Sequence, residues 1–211
     1  MFCDFLLALA FLTNFALAVS GRINKVIQIA IFQGVLLGLI PLAMGLGRHP
    51  HIVFMALAAV VVKGWFIPYL FRKALDKAKI RREVEPYISF SASLILCGLG
   101  TGLSLLMAHH LPLGPGTAHP LLLPASMATL FTGCLLLVSR RKAITQVVGY
   151  LVLENGIYLF GLLLIEEMPL LVETGILLDL FVGVFIMGIV IHHISAAFDS
   201  LDTHNLSKLK D

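Results

Sequence analysis

The chain has 211 residues, of which 59% are hydrophobic and 13% are charged, and its mean hydropathy is +0.98. Soluble domains carry about 25% charged residues, so this composition is that of a membrane protein and leaves little chain for a soluble catalytic domain. The net charge of +3 is too small to indicate nucleic-acid binding.

Seven apolar stretches follow one another along the chain, each near the length of about 20 residues that a membrane-spanning helix needs. They predict an all-α, polytopic membrane protein. The predicted spans are residues 2–19, 26–46, 51–71, 87–109, 120–138, 143–165 and 170–194. The long connection over 72–86 is charged, and we expect it to be partly helical.

A Gly- and Pro-rich connection near residue 118 divides the predicted helices into two groups. We expect a four-helix half over 1–118, a three-helix unit over 119–194 and a polar tail over 195–211. Both groups are interpreted as parts of one membrane domain.

The basic residues are distributed unequally between the connections. Alternate connections and the tail carry 13 of the 15 lysines and arginines, whereas the opposite side carries Arg48 and one lysine lies within a span. Because cytoplasmic connections are enriched in Lys and Arg, we predict an outside N-terminus and a cytoplasmic C-terminus. The expected location is the cell (inner) membrane.

Three charged residues, Lys63, Glu154 and Asp179, lie well inside predicted spans, away from the span ends. Facing lipid, each would cost roughly 2.5–3.5 kcal/mol. We therefore predict that they face a protein interior or a hydrated path and transfer protons. The alternative is a structural role, with a carboxyl bonded to neighbouring helices or a lysine that extends toward the membrane surface.

The surroundings of these three residues supply accessory candidates. Tyr150 and Tyr158 are each four residues from Glu154, so all three share a helix face. Pro68 frees the backbone carbonyl of Gly64, beside Lys63. Further candidates near the ends of the last span are Glu173, His192 and His193.

No catalytic, cofactor-binding or metal-binding residue is predicted in this chain. The three cysteines are far apart and have no CxxC spacing, so we expect them to be small packing residues. The histidines do not match the spacing of a zinc site.

Residues 135–191 resemble the three-helix K-type membrane subunit of respiratory complex I. The resemblance rests on three segments: Ser139-Arg140-Arg141-Lys142, then Gly149 to Asn155, then Asp179 to Gly183. Both carboxyls of that family serve in the proton path, which by matching implies Glu154 and Asp179. Four residues separate Gly149 from Glu154 where the family usually has one, and the second carboxyl is Asp where the family usually has Glu.

With four further spans, Lys63-Gly64 and Pro68 before a basic loop, nearly the whole chain resembles component E of hydrogenase-4. The resemblance implies a membrane subunit of a complex-I-like, redox-driven ion pump that contributes carboxyls to proton translocation. Expected partners are antiporter-like membrane subunits. Nickel-iron and iron–sulfur centres would belong to other subunits, so this chain is expected to be a non-catalytic part of an oxidoreductase.

Other functions remain open from the sequence. The chain could be an assembly scaffold whose buried charges only bind neighbouring subunits. It could also be a cation/proton antiporter subunit without a redox partner, or a stand-alone transporter or receptor. A pair of interrupted helices in two matching halves, typical of transporters, is not evident in the sequence.

Overall fold

The computed structural model describes residues 2–45, 50–78, 84–110, 119–163 and the single position 188. These ranges are helical and contain no β-strand. The helices are α1 (Phe2–Val19), α2 (Ile23–Gly38), α3 (Ile40–Ala43), α4 (Pro50–Val61), α5 (Ile67–Ala78), α6 (Phe90–His110), α7 (Leu122–Ser139) and α8 (Ala143–Leu163). A π-helical turn, Val62–Phe66, joins α4 to α5.

Five segments within these ranges are long and apolar enough to cross a membrane, and they match five predicted spans to within three residues at each end. The predicted span 51–71 is also helical, although the π-helical turn divides it. The seventh predicted span, 170–194, lies outside the described residues except for Gly188. The count of seven and the orientation therefore stay predictions.

The π-helical turn has a local cause in the sequence. Pro68 has no backbone N–H, so the Gly64 carbonyl cannot accept the usual bond from four residues ahead. The chain instead widens by one residue, and the Ile67 N–H bonds to the Val62 carbonyl five positions back. Single π-helical turns of this kind are frequent at functional sites, and this one contains Lys63.

The interior has two apolar clusters separated by a polar layer. One cluster contains buried residues from Leu17, the first half of α2 and the first half of α8. The other contains buried residues from the first half of α1 and the ends of α2 and α8. Between them lie the buried polar side chains Thr13, Asn14, Gln33, Lys63, Thr129, Glu154 and Asn155. Most of them belong to the central part of their helical segments, so the layer crosses the bundle between its two ends.

Glycines set the close approach of α7 and α8. A Cβ on Gly149 would lie 2.6 Å from the Leu137 nitrogen, and one on Gly156 would lie 2.5 Å from the Leu130 nitrogen. Backbones this near each other exclude any larger residue, as at other small-residue helix interfaces in membranes. The tight packing holds α8, and hence Glu154, at a fixed depth against α7.

Three connections meet at one end of the bundle. The Val84 N–H donates to the Gly21 carbonyl, and Tyr87 and Arg141 exchange backbone bonds with Ser139 and Glu85. These are the 20–25, 72–86 and 139–142 connections, which the charge pattern predicts to share a side. At the opposite end, His119 lies 3.8 Å from Asp4. The grouping of the loops is observed, and the side of the membrane they face stays a prediction.

Arg140 closes this end of the bundle from inside. Its side chain is fully buried, donates from Nη2 to the Ala18 carbonyl at 2.9 Å and lies over the Phe90 ring. Burial lowers the pKa of the Arg140 guanidinium, although an arginine stays protonated at neutral pH. The basic turn is thus partly a structural clamp between α1 and α7.

The polar face of α6 is a contact surface, with one exception. Ser93, Cys97 and Thr101 are buried, and the Cys97 Sγ lies 3.5 Å from the Thr132 hydroxyl of α7. Ser89 is exposed and accepts a hydrogen bond from the Ala92 N–H, so it caps the helix N-terminus.

Of the three cysteines, Cys3 and Cys97 are buried, as expected for small packing residues, whereas Cys134 is exposed, contrary to that expectation.

Candidate functional site: a buried lysine and glutamate

Two of the three ionisable residues predicted to lie inside the bundle contact each other. The Lys63 Nζ is 3.6 Å from the Glu154 Oε1, and their side chains are 8% and 1% exposed. Two charges at this depth are each costly alone, and pairing them reduces that cost. The lysine therefore does not extend to the membrane surface; it lies inside the bundle and faces α8.

The sequence builds this contact from two different helices. The π-helical turn carries Lys63, and Gly34 of α2 leaves room for the lysine stem to pass. A Cβ on Gly34 would lie 2.9 Å from the Lys63 Cδ, closer than real Cβ contacts allow. Lys63 can therefore reach α8 only because position 34 on α2 is a glycine.

Further groups surround the ammonium. Lys63 donates to the Asn155 Oδ1 at 2.8 Å, and its Nζ lies 5.5 Å from the centre of the Tyr158 ring. An amide oxygen and an aromatic face both favour a cation. Asn155 and Glu154 are adjacent in sequence, so α8 supplies both an acceptor and a carboxyl to one lysine.

A chain of side-chain hydrogen bonds continues from Asn155 across the bundle. The Asn155 amide donates to the Gln33 Oε1 at 3.2 Å. Gln33 in turn donates to the Thr13 hydroxyl at 2.9 Å and to the Asn14 Oδ1 at 2.8 Å. The last bond runs from the Asn14 amide to the Thr129 hydroxyl at 3.0 Å. We call Asn155, Gln33, Asn14, Thr13 and Thr129 the amide chain.

Several predicted site residues lie elsewhere or outside the description. Tyr150 shares the helix with Glu154 but packs against an apolar cluster, while Tyr158 contacts the lysine. Three accessory candidates and one proton-transfer candidate lie outside the described residues: Glu173, His192, His193 and Asp179. Their proposed roles therefore stay predictions.

The sequence interpretation did not identify the amide chain as part of the site. A single Asn or Gln in an apolar run is a weaker signal than a charge. Even so, Asn14 and Gln33 each stand near the middle of an apolar stretch, where an unbonded amide would be costly. Their positions within apolar stretches, like that of Glu154, are the feature of the sequence that could have indicated them.

The arrangement can hold and exchange a proton between a carboxyl and an amine inside a membrane. Ionisable side chains within membrane spans commonly mark such relays. In residues 2–45, 50–78, 84–110 and 119–163, no group of three or more His, Cys, Asp or Glu is arranged to hold a metal ion.

Comparison with known proteins gives two kinds of relative. The chain is 26% identical over 192 residues to the uncharacterised protein Rv0085 of Mycobacterium tuberculosis, which covers 90% of this chain and 87% of that protein. It is also 35% identical over 88 residues to hydrogenase-4 component E of Escherichia coli K12 and of Shigella flexneri. No protein-family model matches the chain, and neither does any solved structure.

The five apolar helices define the chain as a multi-pass membrane protein. The partial match to hydrogenase-4 component E supports a related membrane-subunit family, and it covers 42% of this chain and 41% of that component. The resemblance to K-type subunits of complex I is not tested by these matches and stays a prediction.

Proposed function

We propose that this chain is a membrane subunit of a hydrogenase-4-type, complex-I-like ion pump, and that Lys63 and Glu154 transfer protons within it. The partial match to hydrogenase-4 component E supports the assignment to such a complex. Asp179 is proposed as a second carboxyl of the same path. Antiporter-like membrane subunits are the proposed partners, and the redox centres belong to other subunits.

The observation that carries the proposal is the Lys63–Glu154 contact in the polar layer. A charge pair used only for stability gains little in a bundle interior, because apolar residues of similar volume would pack there at lower cost. A pair that passes a proton between an amine and a carboxyl during turnover, in contrast, requires both ionisable groups. The Lys63 Nζ and the Glu154 Oε1 lie 3.6 Å apart. This is an ion-pair distance slightly longer than the roughly 2.6–3.2 Å of a direct hydrogen bond, so a small movement of either side chain would bring the two atoms within reach of proton transfer.

The proposed assembly is tested by copurification. We expect a tagged full-length chain, extracted from its native membrane in mild detergent, to bring down a large antiporter-like subunit and a subunit with metal centres, identified by mass. Recovery of the chain alone, with solute transport by that chain in liposomes, would instead identify a stand-alone transporter.

Glu154→Gln separates proton transfer from scaffolding in the same preparation. The proton-transfer proposal predicts an intact complex that still transfers electrons, because Gln keeps the size of Glu and one acceptor oxygen but cannot ionise. The contacts of the other helices are expected to hold the complex together despite the loss of stability at the lysine. Dissociation of the complex would show that the carboxyl serves assembly. Glu85→Gln is the matched control, since Glu85 is about half exposed in a connection and pairs with Lys142.

A further inference from the structure

The amide chain has a uniform direction that begins at Lys63. The ammonium donates to the Asn155 oxygen, the Asn155 nitrogen donates to the Gln33 oxygen, and the Gln33 nitrogen donates to the Asn14 oxygen. The Asn14 nitrogen completes the series at Thr129. Every amide oxygen in the series therefore points back toward the lysine.

Such a series is more than a set of independent bonds. Aligned hydrogen bonds polarise one another in a low-dielectric interior. Each bond that an amide nitrogen donates therefore increases the partial negative charge on the oxygen of the same amide. Asn14, Gln33 and Asn155 are at most 2% exposed, which limits competition from water. Primary amides do not exchange protons as carboxyls do, so the series orients the lysine instead of conducting protons.

We propose that Gln33 and Asn14 are positioning residues for the proton-transfer pair, acting through Asn155 to hold the Lys63 ammonium at Glu154. The chain joins four elements to the π-helical turn: α1, α2, α7 and α8. The inference rests on the proposed function in one respect, because the position of the ammonium affects pumping only if the pair transfers protons.

Replacing Gln33 by Met removes one acceptor and two donated bonds while keeping a similar length. We expect the infrared carboxylate band of Glu154, assigned by its loss in Glu154→Gln, to shift in the purified full chain in nanodiscs. Gln146→Met is the matched control, because Gln146 bonds to the Arg140 carbonyl at the loop end. An unshifted band in Gln33→Met would overturn the positioning role.

If Gln33→Met fails to fold, two smaller changes test the same role. Thr129→Val removes the last acceptor of the chain without changing side-chain shape. Thr132→Val makes the same change one turn away on α7, where the hydroxyl bonds to the Ala128 carbonyl and contacts Cys97. Both threonines are fully buried. We expect the band to move in Thr129→Val alone, and equal spectra for the two variants would contradict the proposal.

Pumping by the intact complex gives the second measurement. We expect Gln33→Met to lower the number of protons moved per electron while electron transfer continues, because the ammonium is then no longer held at the carboxyl. A merely structural residue would lower the amount of complex, and with it electron transfer and pumping together. Full pumping in Lys63→Met would refute the proposed function itself. Lost pumping in Lys63→Met with an unchanged ratio in Gln33→Met would refute the positioning role alone.

Discussion

At the scale of single residues, the site depends on two opposite charges that would each be unfavourable without the other. Glu154 is 1% exposed and Lys63 is 7% exposed, so both are buried. Removing one partner of a buried pair typically costs about 3–5 kcal/mol, whereas replacing both can be nearly neutral. Lys63 and Glu154 should therefore depend on each other for stability.

A double-mutant cycle measures this dependence. We expect Lys63→Met and Glu154→Gln together to destabilise the chain less than the sum of the single changes, by about 0.5–3 kcal/mol. The free energy of unfolding in detergent micelles provides the measurement. Strictly additive effects would show that the two side chains do not interact.

Gly34 offers a test that leaves both charges in place. Gly34→Ala should lower the free energy of unfolding by about 1–3 kcal/mol, because its Cβ would overlap the Lys63 stem. Gly102→Ala is the control, since no atom lies within 4 Å of a Cβ there. Both glycines are helical, so both changes gain the same helix propensity. Equal stability of the two variants would contradict the lysine path described above.

At the scale of elements, the π-helical turn decides which way Lys63 points. If Val62–Phe66 formed a regular α-helical turn, the extra residue of the π-helical turn would be lost, and Lys63 would point in a different direction relative to α5. Pro68 prevents the α-helical bond that would close the bulge. The element is therefore built for one side-chain direction rather than for maximal helix stability.

Replacing Pro68 tests this role. Pro68→Ala restores the missing N–H, and we expect the segment to shift toward regular α-helix and to reduce proton pumping while electron transfer continues. Pro124→Ala is the control, because the first turn of α7 needs no N–H partner at that position. A structure of Pro68→Ala that keeps the π-helical turn and full pumping would remove the link between this element and the site.

The helices were predictable because their apolar runs have the length that a bilayer requires. The close approach of α7 and α8 was less predictable, because glycines occur in several of the helices and not all of them make close contacts. A Cβ on Gly102 of α6, for example, would meet nothing within 4 Å. The tightest backbone contacts involve Gly133 of α7, whose Cβ would overlap the Leu153 backbone nitrogen, together with Gly149 and Gly156 of α8. Small residues show where helices can approach, and the partner helix decides where they do.

The candidate site was predictable in its charges and not in its connections. Lys63 and Glu154 stand out because a charge in an apolar run is rare. Their contact spans 91 positions in sequence, and no local pattern encodes which helices meet. The amide chain depends on the same tertiary contacts, so Gln33 and Asn14 become recognisable only once α1, α2 and α8 are side by side.

At the scale of the whole molecule, the loops that meet at one end carry most of the positive charge. The positive-inside rule predicts that this end faces the cytoplasm. Asn24, in the first turn of α2, and Pro120, before α7, are exposed and lie toward opposite ends of the bundle. They are suitable positions for accessibility labelling.

We expect Asn24→Cys to react with a membrane-impermeant maleimide only in inverted vesicles, and Pro120→Cys only in right-side-out vesicles. Cys134→Ser removes the exposed native thiol, and the buried Cys3 and Cys97 provide the background level. Labelling of both positions from one side would refute the predicted topology.

We propose that the Glu154 carboxyl carries protons during turnover. The most direct test of this proposal is the number of protons moved per electron by the assembled complex in sealed vesicles. We predict that Glu154→Gln lowers this ratio while electron transfer continues, and that Glu85→Gln leaves it unchanged. An intact Glu154→Gln complex with the wild-type ratio would show that the Glu154 carboxyl does not carry the pumped protons.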